Sequence, residues 1–523
     1  MDACSLSEPT LFSALGWKRS CYTAQGTWRF ESLGVASLLI ALIYLPTATT
    51  NFDFADDGAT AHPQGVASFW EFHRVTWQTT YTEFQNKGPY RPVAWYFWVG
   101  QQEYFAGDPL GWRCVRFLWT ALSAGVFLWF LQTLGFGPGV CLITTMAAMW
   151  NPYRAEVWLS PTFCEGIAMP FALAGLAAAY HAPRSAHPWF WDLVAMSGAL
   201  AAVGCKNVFA VVVPAQMFLR VCHPDLSLRD GIKTHGWRAA MLGLVLVFPV
   251  THFVCYRLTM HTNRYDLVWD PRQPLRMLNA LLGGIGKDFL GPAIIAGLLV
   301  VAWGWFRGRE QSWSVSAFAS RIQFRAVFGA GLILFVLGWG VYAPMDGVAG
   351  RYTFPGVWGL DLWCALLWAR VAELPSPGQK LAYVLLGCGL AVSAASNYGK
   401  QEKNTARITT LWDALEYVER KLPAGSRIAW VGVADREKSE ALEISEGVHF
   451  RWHLEGRGRR DLQWQTVSPG MPLSSAEEPE FLVTSATVPP AEGHWVLVRE
   501  CRHDYWFGRK QVVCCIWQRQ APP

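Results

Sequence analysis

Two adjacent carboxylates follow the first apolar segment of the chain, in the sequence Asp53-Phe-Ala-Asp56-Asp57-Gly58. Neighbouring carboxylates repel each other, so one of them can take up a proton and act as a general base while the other stays ionised or binds a metal ion. The same residues also suit a solvated loop that ends in an Asp-Gly turn. The sequence therefore offers Asp56 and Asp57 as catalytic candidates, with the turn as the alternative.

Two further carboxylates stand in a second polar segment, which runs from Asn151 to Glu165. Carboxylates close to a membrane are costly unless they are paired, and they commonly serve a function. Glu156 either takes part in a site or pairs with Arg154 or another basic group. Glu165 opens an apolar run, where a carboxylate also favours the start of a helix.

Three cations occupy comparable positions at the edges of apolar runs, namely Arg91, Lys206 and Arg351, the last followed by Tyr352. The planar fork of donors on Arg91 suits a phosphate, although a long cationic side chain can also reach out to lipid headgroups. Lys206 has the same two readings. A carboxylate base together with cations that stabilise a departing lipid phosphate would fit this set of residues.

Composition indicates what must position these residues. The chain has 523 residues, of which 52% are hydrophobic and only 16% charged, against about 25% charged in soluble proteins. Residues 400–523 hold 34 of the 83 charged residues. This pattern excludes disorder and predicts a membrane-embedded body followed by a soluble tail. The net charge of +5 is not gathered in a stripe, so we expect no nucleic-acid partner.

Apolar segments long enough to cross a membrane predict about 11 transmembrane helices. Basic residues between the spans place Arg220, Arg229, Lys233 and Arg238 in the cytoplasm, together with the N-terminus. Val93–Phe105 is too short to span and is expected to lie at the outer interface. The predicted spans are Leu33–Ala48, Cys114–Leu134, Val140–Trp150, Gly166–Tyr180, Trp189–Gly204, Val208–Val221, Ala239–Tyr256, Phe289–Phe306, Ala326–Tyr342, Gly356–Ala369 and Leu381–Ser396.

These segments divide the chain into three parts: a cytoplasmic N-terminus (1–32), a polytopic α-helical transmembrane domain (33–397, with an outer loop at 50–112), and an extracytoplasmic α/β domain (398–523). In the last part, Thr405–Leu422 has helical periodicity. Four short runs rich in Val, Ile and Trp are expected to form strands, at Arg427–Val433, Phe481–Thr484, Trp495–Glu500 and Gln511–Trp517.

The order of these motifs resembles that of the GT-C membrane glycosyltransferases, and most nearly the O-mannosyltransferases that carry tetratricopeptide repeats. The resemblance covers roughly residues 30 to 370. The chain has Asn151, Asn207 and Gly350 where that family has His, Glu and Glu, and no repeats follow. The matching stretches are Asp56-Asp57, Tyr90-Arg91-Pro92-Val93, Asn151-Pro152 through Glu156-Val157, Cys205-Lys206-Asn207 and Gly350-Arg351-Tyr352 through Pro355.

The resemblance implies transfer of a sugar, such as mannose or another hexose, from a polyprenyl phosphate to a protein, lipid or glycan acceptor, with inversion. It implies Asp56 as the base, with Asp57 as the other candidate, and a donor phosphate held by Arg351, Lys206, Arg91 and Tyr352. A divalent metal, held by Asp57 with Glu165 or Glu156, is a further implication. The compact tail resembles bacterial members, which would place the protein in the inner membrane with the tail in the periplasm.

A multi-span transporter or lipid flippase is the alternative function. Transporters commonly contain inverted repeats and broken helices near the middle of the membrane. The sequence has no such internal symmetry, and its notable charges fall on one predicted side. A structure in which Asp56, Glu165 and Arg351 line one outer cavity beneath the tail would favour the enzyme.

Overall fold

The structure is a computed structural model of the whole chain. It describes residues 66–251, 322–342, 354–371, 376–431, 440–467, 478–485, 494–505 and 509–520, apart from gaps at 67, 86–89, 152–153 and 224–225. Scattered positions between 34 and 53, and positions 272 and 275, are also described. The predicted span Phe289–Phe306 lies outside these residues.

Helices make up most of the described chain. Thirteen are numbered here: α1 (Phe69–Gln85), α2 (Pro92–Phe105), α3 (Pro109–Thr133), α4 (Pro138–Met149), α5 (Ala155–Leu159), α6 (Cys164–His181), α7 (Pro188–Cys205), α8 (Val212–Val221), α9 (Leu228–Gly243), α10 (Ile322–Tyr342), α11 (Val357–Val371), α12 (Ser376–Lys421) and α13 (Glu440–Gly456). Short 3-10 turns occur at Ala182–Arg184, Asn207–Val211 and Leu244–Leu246.

Four helices among the described residues are long and apolar enough to cross a membrane, at Pro109–Thr133, Pro188–Cys205, Phe324–Val341 and Gln379–Lys421. Shorter apolar helices occupy Pro138–Met149, Asn207–Val221 and Val357–Ala369. Each of these segments overlaps a predicted span. The full number of about 11 spans stays a prediction.

Sequence signals explain where α3 begins. Asp108 caps it by accepting hydrogen bonds from the backbone of Leu110 (3.0 Å) and Gly111 (3.2 Å), while Pro109 at the first position has no N–H to satisfy. The preceding helix, α2, has 14 residues and coincides closely with the short segment predicted from Val93 to Phe105.

Small residues let α6 and α7 pack closely. A Cβ atom built on Gly198 of α7 would lie 2.6 Å from the backbone oxygen of Phe171 in α6, so the two backbones meet where no larger residue fits. Alanines fill much of the rest of the buried contact, including Ala172, Ala195 and Ala199. Close approach through small residues is typical of helices packed within a membrane.

The last apolar helix continues without a break into the tail. α12 has 46 residues, so the predicted domain boundary at 397/398 falls inside it. Ser393 and Asn397 donate to the carbonyl oxygen of Trp150 at 3.0 and 3.2 Å, which fixes α12 against the end of α4. The apolar and the charged halves of this helix therefore form one continuous element.

The tail contains a five-stranded sheet in the order β2-β1-β3-β5-β4. The strands are β1 (Arg427–Val431), β2 (Gln463–Val467), β3 (Phe481–Thr484), β4 (Trp495–Tyr505) and β5 (Lys510–Arg519). β1 pairs in parallel with β2 and β3, and β5 pairs antiparallel with β3 and β4. Leu415, Val418 and Phe450 of α12 and α13 form a core with this sheet.

Several elements differ from the expectations, among them α1, which forms a helix within the segment predicted as a loop at 50–112. The four predicted strands are present, but β2 and α13 were not predicted. α9 begins at Leu228, well before the predicted span at Ala239, because Ser227 caps it by accepting from the Asp230 backbone N–H at 3.2 Å. The basic residues Arg229, Lys233 and Arg238 therefore lie on a helix rather than in a loop.

Candidate functional site

A group of charged side chains collects where α2, α6 and α7 meet. Arg91 immediately precedes α2, Glu165 lies in the first turn of α6, and Lys206 directly follows α7. The ends of three helices thus bring three of the predicted site residues together. We call Glu83, Arg91, Cys164, Glu165 and Lys206 the polar cluster.

Lys206 and Glu165 form an ion pair within the polar cluster. The side chain of Glu165 is only 4% exposed, whereas that of Lys206 is 21% exposed. Buried carboxylates need a partner of this kind because removal from water is costly. The sequence predicts either a lipid headgroup or an anion as the partner of Lys206. In the structure, Lys206 contacts an anionic side chain, the carboxylate of Glu165.

Arg91 lies beside this pair and contacts two residues of its own. Its guanidinium forms an ion pair with Glu83 of α1, and its Nη1 donates to the sulfur of Cys164 at 3.2 Å. The Trp98 ring lies 5.2 Å from the guanidinium carbon, a distance at which a cation is attracted to an aromatic face. Since Cys164 and Glu165 are adjacent, Arg91 and Lys206 flank the same turn of α6.

Glu83 was not identified from the sequence. It lies near the end of α1, whose mixed polar and aromatic residues resemble those of an ordinary amphipathic helix. Its carboxylate also accepts a hydrogen bond from Trp95 Nε1 at 2.6 Å. An acidic residue eight positions before Arg91 was the signal available in the sequence.

The polar cluster balances two cations against two carboxylates, so each cation already has an anionic partner. Guanidinium and ammonium groups form their strongest hydrogen bonds with oxyanions. An incoming phosphate would meet both cations but would have to compete with Glu83 and Glu165. The arrangement can therefore bind an anion by exchanging one acidic partner for another.

A second ion pair joins the second polar segment to α11. Arg154 contacts both carboxylate oxygens of Asp361, at 2.7 and 2.9 Å, and the two side chains are 3% and 1% exposed. The sequence also offers Glu156 as a partner for Arg154, but the side chain of Glu156 lies outside the described residues. Asp361 was not identified, although a carboxylate inside an apolar run is itself a signal.

The same ion pair lies against the Arg-Tyr-x-x-Pro motif. Cζ of Arg154 lies 5.7 Å from the centroid of the Phe354 ring. The rings of Phe354 and of Trp158 in α5 meet edge to face, with their centroids 6.1 Å apart. The motif's last residues are thus packed on the second polar segment. Arg351 and Tyr352 themselves lie outside the described residues.

The acidic pair Asp56 and Asp57 also lies outside the described residues, but the residues just before it are described. Phe52 accepts a hydrogen bond from Trp412 Nε1 at 2.9 Å, and Asp53 forms an ion pair with Arg407 at 2.5 Å. Both partners belong to α12. The segment that leads into the acidic motif is therefore held against the tail.

A metal site was expected from Asp57 with Glu165 or Glu156. In the part of the chain that the structure describes, no group of three His, Cys, Asp or Glu side chains is placed to hold a metal ion. The carboxylate of Glu165 already pairs with Lys206, so a metal ion there would compete with that ammonium group. The described residues thus do not form such a site by themselves.

The chain is similar to a solved structure of an archaeal protein. No family model and no curated protein matches the chain. The solved structure is the archaeal oligosaccharyltransferase AglB from Archaeoglobus fulgidus, in complex with an inhibitory peptide and a dolichol-phosphate. The identity is 11% and the TM-score 0.44, over 88% of this chain and 69% of that one.

Proposed function

We propose that this protein is a membrane glycosyltransferase that moves a sugar from a polyprenyl phosphate to an acceptor on the outer face of the membrane. The observation that carries the proposal is the meeting of Arg91, Glu165 and Lys206, which come from three separate segments of the chain. Each was selected from sequence motifs whose order resembles that of one enzyme superfamily. Their convergence at one end of three helices is what a site requires.

In the proposed reaction, Asp56 removes a proton from an acceptor hydroxyl or amide, with Asp57 as the other candidate. The acceptor attacks the anomeric carbon, the carbon–oxygen bond to phosphate breaks, and the configuration inverts. Arg351, Lys206 and Arg91 stabilise the negative charge that develops on the leaving phosphate, the kind of interaction that contributes most to many enzymatic rates. Tyr352 belongs to the same donor site.

The remaining parts of the proposal concern metal, acceptor and location. A divalent cation held by Asp57 with Glu165 or Glu156 would activate the acceptor or the phosphate, and loss of transfer on chelation followed by recovery on adding Mn²⁺ or Mg²⁺ would support it. The acceptor is a protein, lipid or glycan. The protein would lie in a bacterial inner membrane, with its N-terminus in the cytoplasm and its tail in the periplasm.

The test is transfer from radiolabelled polyprenyl-phosphate mannose, and from other hexose donors, by purified protein supplied with membrane extract as acceptor. Wild type should release polyprenyl phosphate. Asp56→Asn or Asp57→Asn should lower the rate at least about 100-fold, the usual contribution of a general base. Asp108→Asn is the matched control, because asparagine caps a helix as well as aspartate does.

Two results would contradict the proposal. One is full activity of both the Asp56 and the Asp57 variants, which would remove the assigned base. The other is movement of a fluorescent polyprenyl lipid across vesicles containing the protein, with no release of lipid phosphate from any donor. That second result would favour the transporter or flippase.

A further inference from the structure

Arg91 has only one strong acceptor for its donors among the described residues. Its Nη2 pairs with the carboxylate of Glu83, and its Nη1 donates to the sulfur of Cys164 at 3.2 Å. A thiol sulfur is a weak acceptor. Its Nε is buried and finds no hydrogen-bond partner in the described part of the chain. The guanidinium can therefore donate to more acceptor oxygens than the described residues provide.

The surroundings hold this guanidinium in place while leaving its acceptor within reach of solvent. Trp98 covers it at 5.2 Å, and Trp98 is itself fixed by a hydrogen bond to the Thr162 carbonyl at 3.1 Å. The side chains of Arg91 and Glu83 are still 23% and 17% exposed. The cation is thus fixed by packing, and its acidic partner lies at an accessible edge.

A carboxylate and a phosphate present similar oxygens to a guanidinium, and both bind its planar fork in the same way. A phosphate offers more oxygens, so it can serve donors that one carboxylate leaves unused. In the structure, Glu83 occupies the position beside Arg91 that an anionic ligand would need. Trp95 Nε1 steadies the carboxylate there at 2.6 Å.

We propose that Glu83 is the counter-ion that Arg91 exchanges for the phosphate of a polyprenyl lipid, so that Glu83 sets the affinity for donor and product. This inference rests on the proposed function. The donor is a phosphodiester with one negative charge, whereas the product monoester carries about −1.5 to −2 at neutral pH. Return of Glu83 to Arg91 therefore helps to release the more strongly held product.

The variant Glu83→Gln removes the competing charge and keeps the shape of the side chain. We expect purified full-length Glu83→Gln in detergent to bind a polyprenyl monophosphate about tenfold more tightly than wild type. In the transfer assay both KM and kcat should fall, because product release becomes slower. Glu71→Gln is the matched control, since Glu71 lies on the same helix, about 18 Å away along its axis, in an exposed pair with Arg74.

Weaker or unchanged binding by Glu83→Gln would contradict the inference. If Glu83 only holds Arg91 in position, Glu83→Gln will bind the lipid phosphate more weakly, and this overturns the inference, as does unchanged affinity. Should Glu83→Gln fail to fold, Trp95→Phe provides a second variant. It removes the hydrogen bond that steadies Glu83 and keeps an aromatic ring, so it should raise the affinity in the same direction by a smaller factor.

Competitors identify the source of the phosphate. If polyprenyl monophosphate displaces the bound lipid phosphate at lower concentrations than inorganic phosphate or phosphatidylglycerol do, the ligand is lipid-linked. Equal displacement by inorganic phosphate overturns the inference that the ligand is a polyprenyl phosphate. Failure of wild type to bind any polyprenyl phosphate would contradict the proposed function itself. Binding by wild type without tightening in Glu83→Gln would contradict only the role of Glu83.

Discussion

The ion pair between Arg154 and Asp361 has almost no contact with solvent, and both N–H···O contacts are well formed at 2.7 and 2.9 Å. A buried pair of this kind contributes little net stability compared with apolar residues, but removing one partner leaves an uncompensated charge. The ion pair joins the second polar segment to α11. It also packs on Phe354, next to the motif that contains Arg351.

Asp361→Asn should therefore destabilise the protein by about 3–5 kcal/mol, because Arg154 is left charged and buried. The double variant Arg154→Gln with Asp361→Asn removes both charges and should recover a large part of that loss. Thermal unfolding in detergent measures both. Equal loss in the single and double variants would show that the two side chains do not act as a pair.

The contact between α2 and α7 determines where Arg91 stands relative to Lys206. A Cβ atom built on Gly204 of α7 would lie 2.6 Å from Cγ2 of Val93 in α2. Gly204 is two residues before Lys206, and Val93 is two residues after Arg91. The close approach of the two helices at this glycine therefore holds the two halves of the polar cluster together.

Gly204→Ala should force α2 away from α7, at a cost of about 1–3 kcal/mol for an overpacked contact, and should weaken binding of polyprenyl monophosphate. Val93→Ala removes the obstructing methyl group, so the pair Gly204→Ala with Val93→Ala should restore both stability and binding. Unfolding midpoints and lipid binding are measured on the same preparations. Lack of any rescue by Val93→Ala would contradict the steric argument.

The apolar bundle and the tail meet through α12. Arg407 forms ion pairs with Asp53 and with Glu446 of α13, and its Nη2 also donates a hydrogen bond to Asn404 Oδ1 at 3.0 Å. Thr405 Oγ1 lies 3.1 Å from Thr50 Oγ1. One arginine thus joins the segment before the acidic motif to two helices of the tail, which its planar fork allows and a lysine would not.

Arg407→Ala should weaken the contact between the segment at Asp53 and the two tail helices, because the carboxylates of Asp53 and Glu446 lose their shared cation. Cysteines placed at Thr50 and Thr405 provide the measurement, since the two hydroxyls are already in contact. Oxidation should cross-link them in the otherwise wild-type chain, and Arg407→Ala should lower the yield, as followed by mass spectrometry of the linked peptides. Arg420→Ala is the matched control on the same helix, where Arg420 forms an exposed pair with Glu416. An unchanged yield in Arg407→Ala would contradict the role of Arg407 in holding this segment against the tail.

Local patterns in the sequence predicted most of the helices and strands. Apolar length predicted α2, the four longest apolar helices and their neighbours, and runs of Val, Ile and Trp predicted β1, β3, β4 and β5. These features depend on residues a few positions apart, so hydropathy and periodicity reveal them. The same patterns missed β2 and α13, whose residues are more polar and are fixed by packing on β1 and α12.

The sequence by itself determined that a charge-poor helical body precedes a charged α/β tail, and it selected Arg91, Glu165 and Lys206 as residues of interest. Only the tertiary structure decided the partner of each charge. Lys206 and Glu165 are 41 positions apart, and Arg154 and Asp361 are 207 positions apart. No local pattern joins such residues, because their contact arises when helices with small residues pack closely enough to bring their ends together.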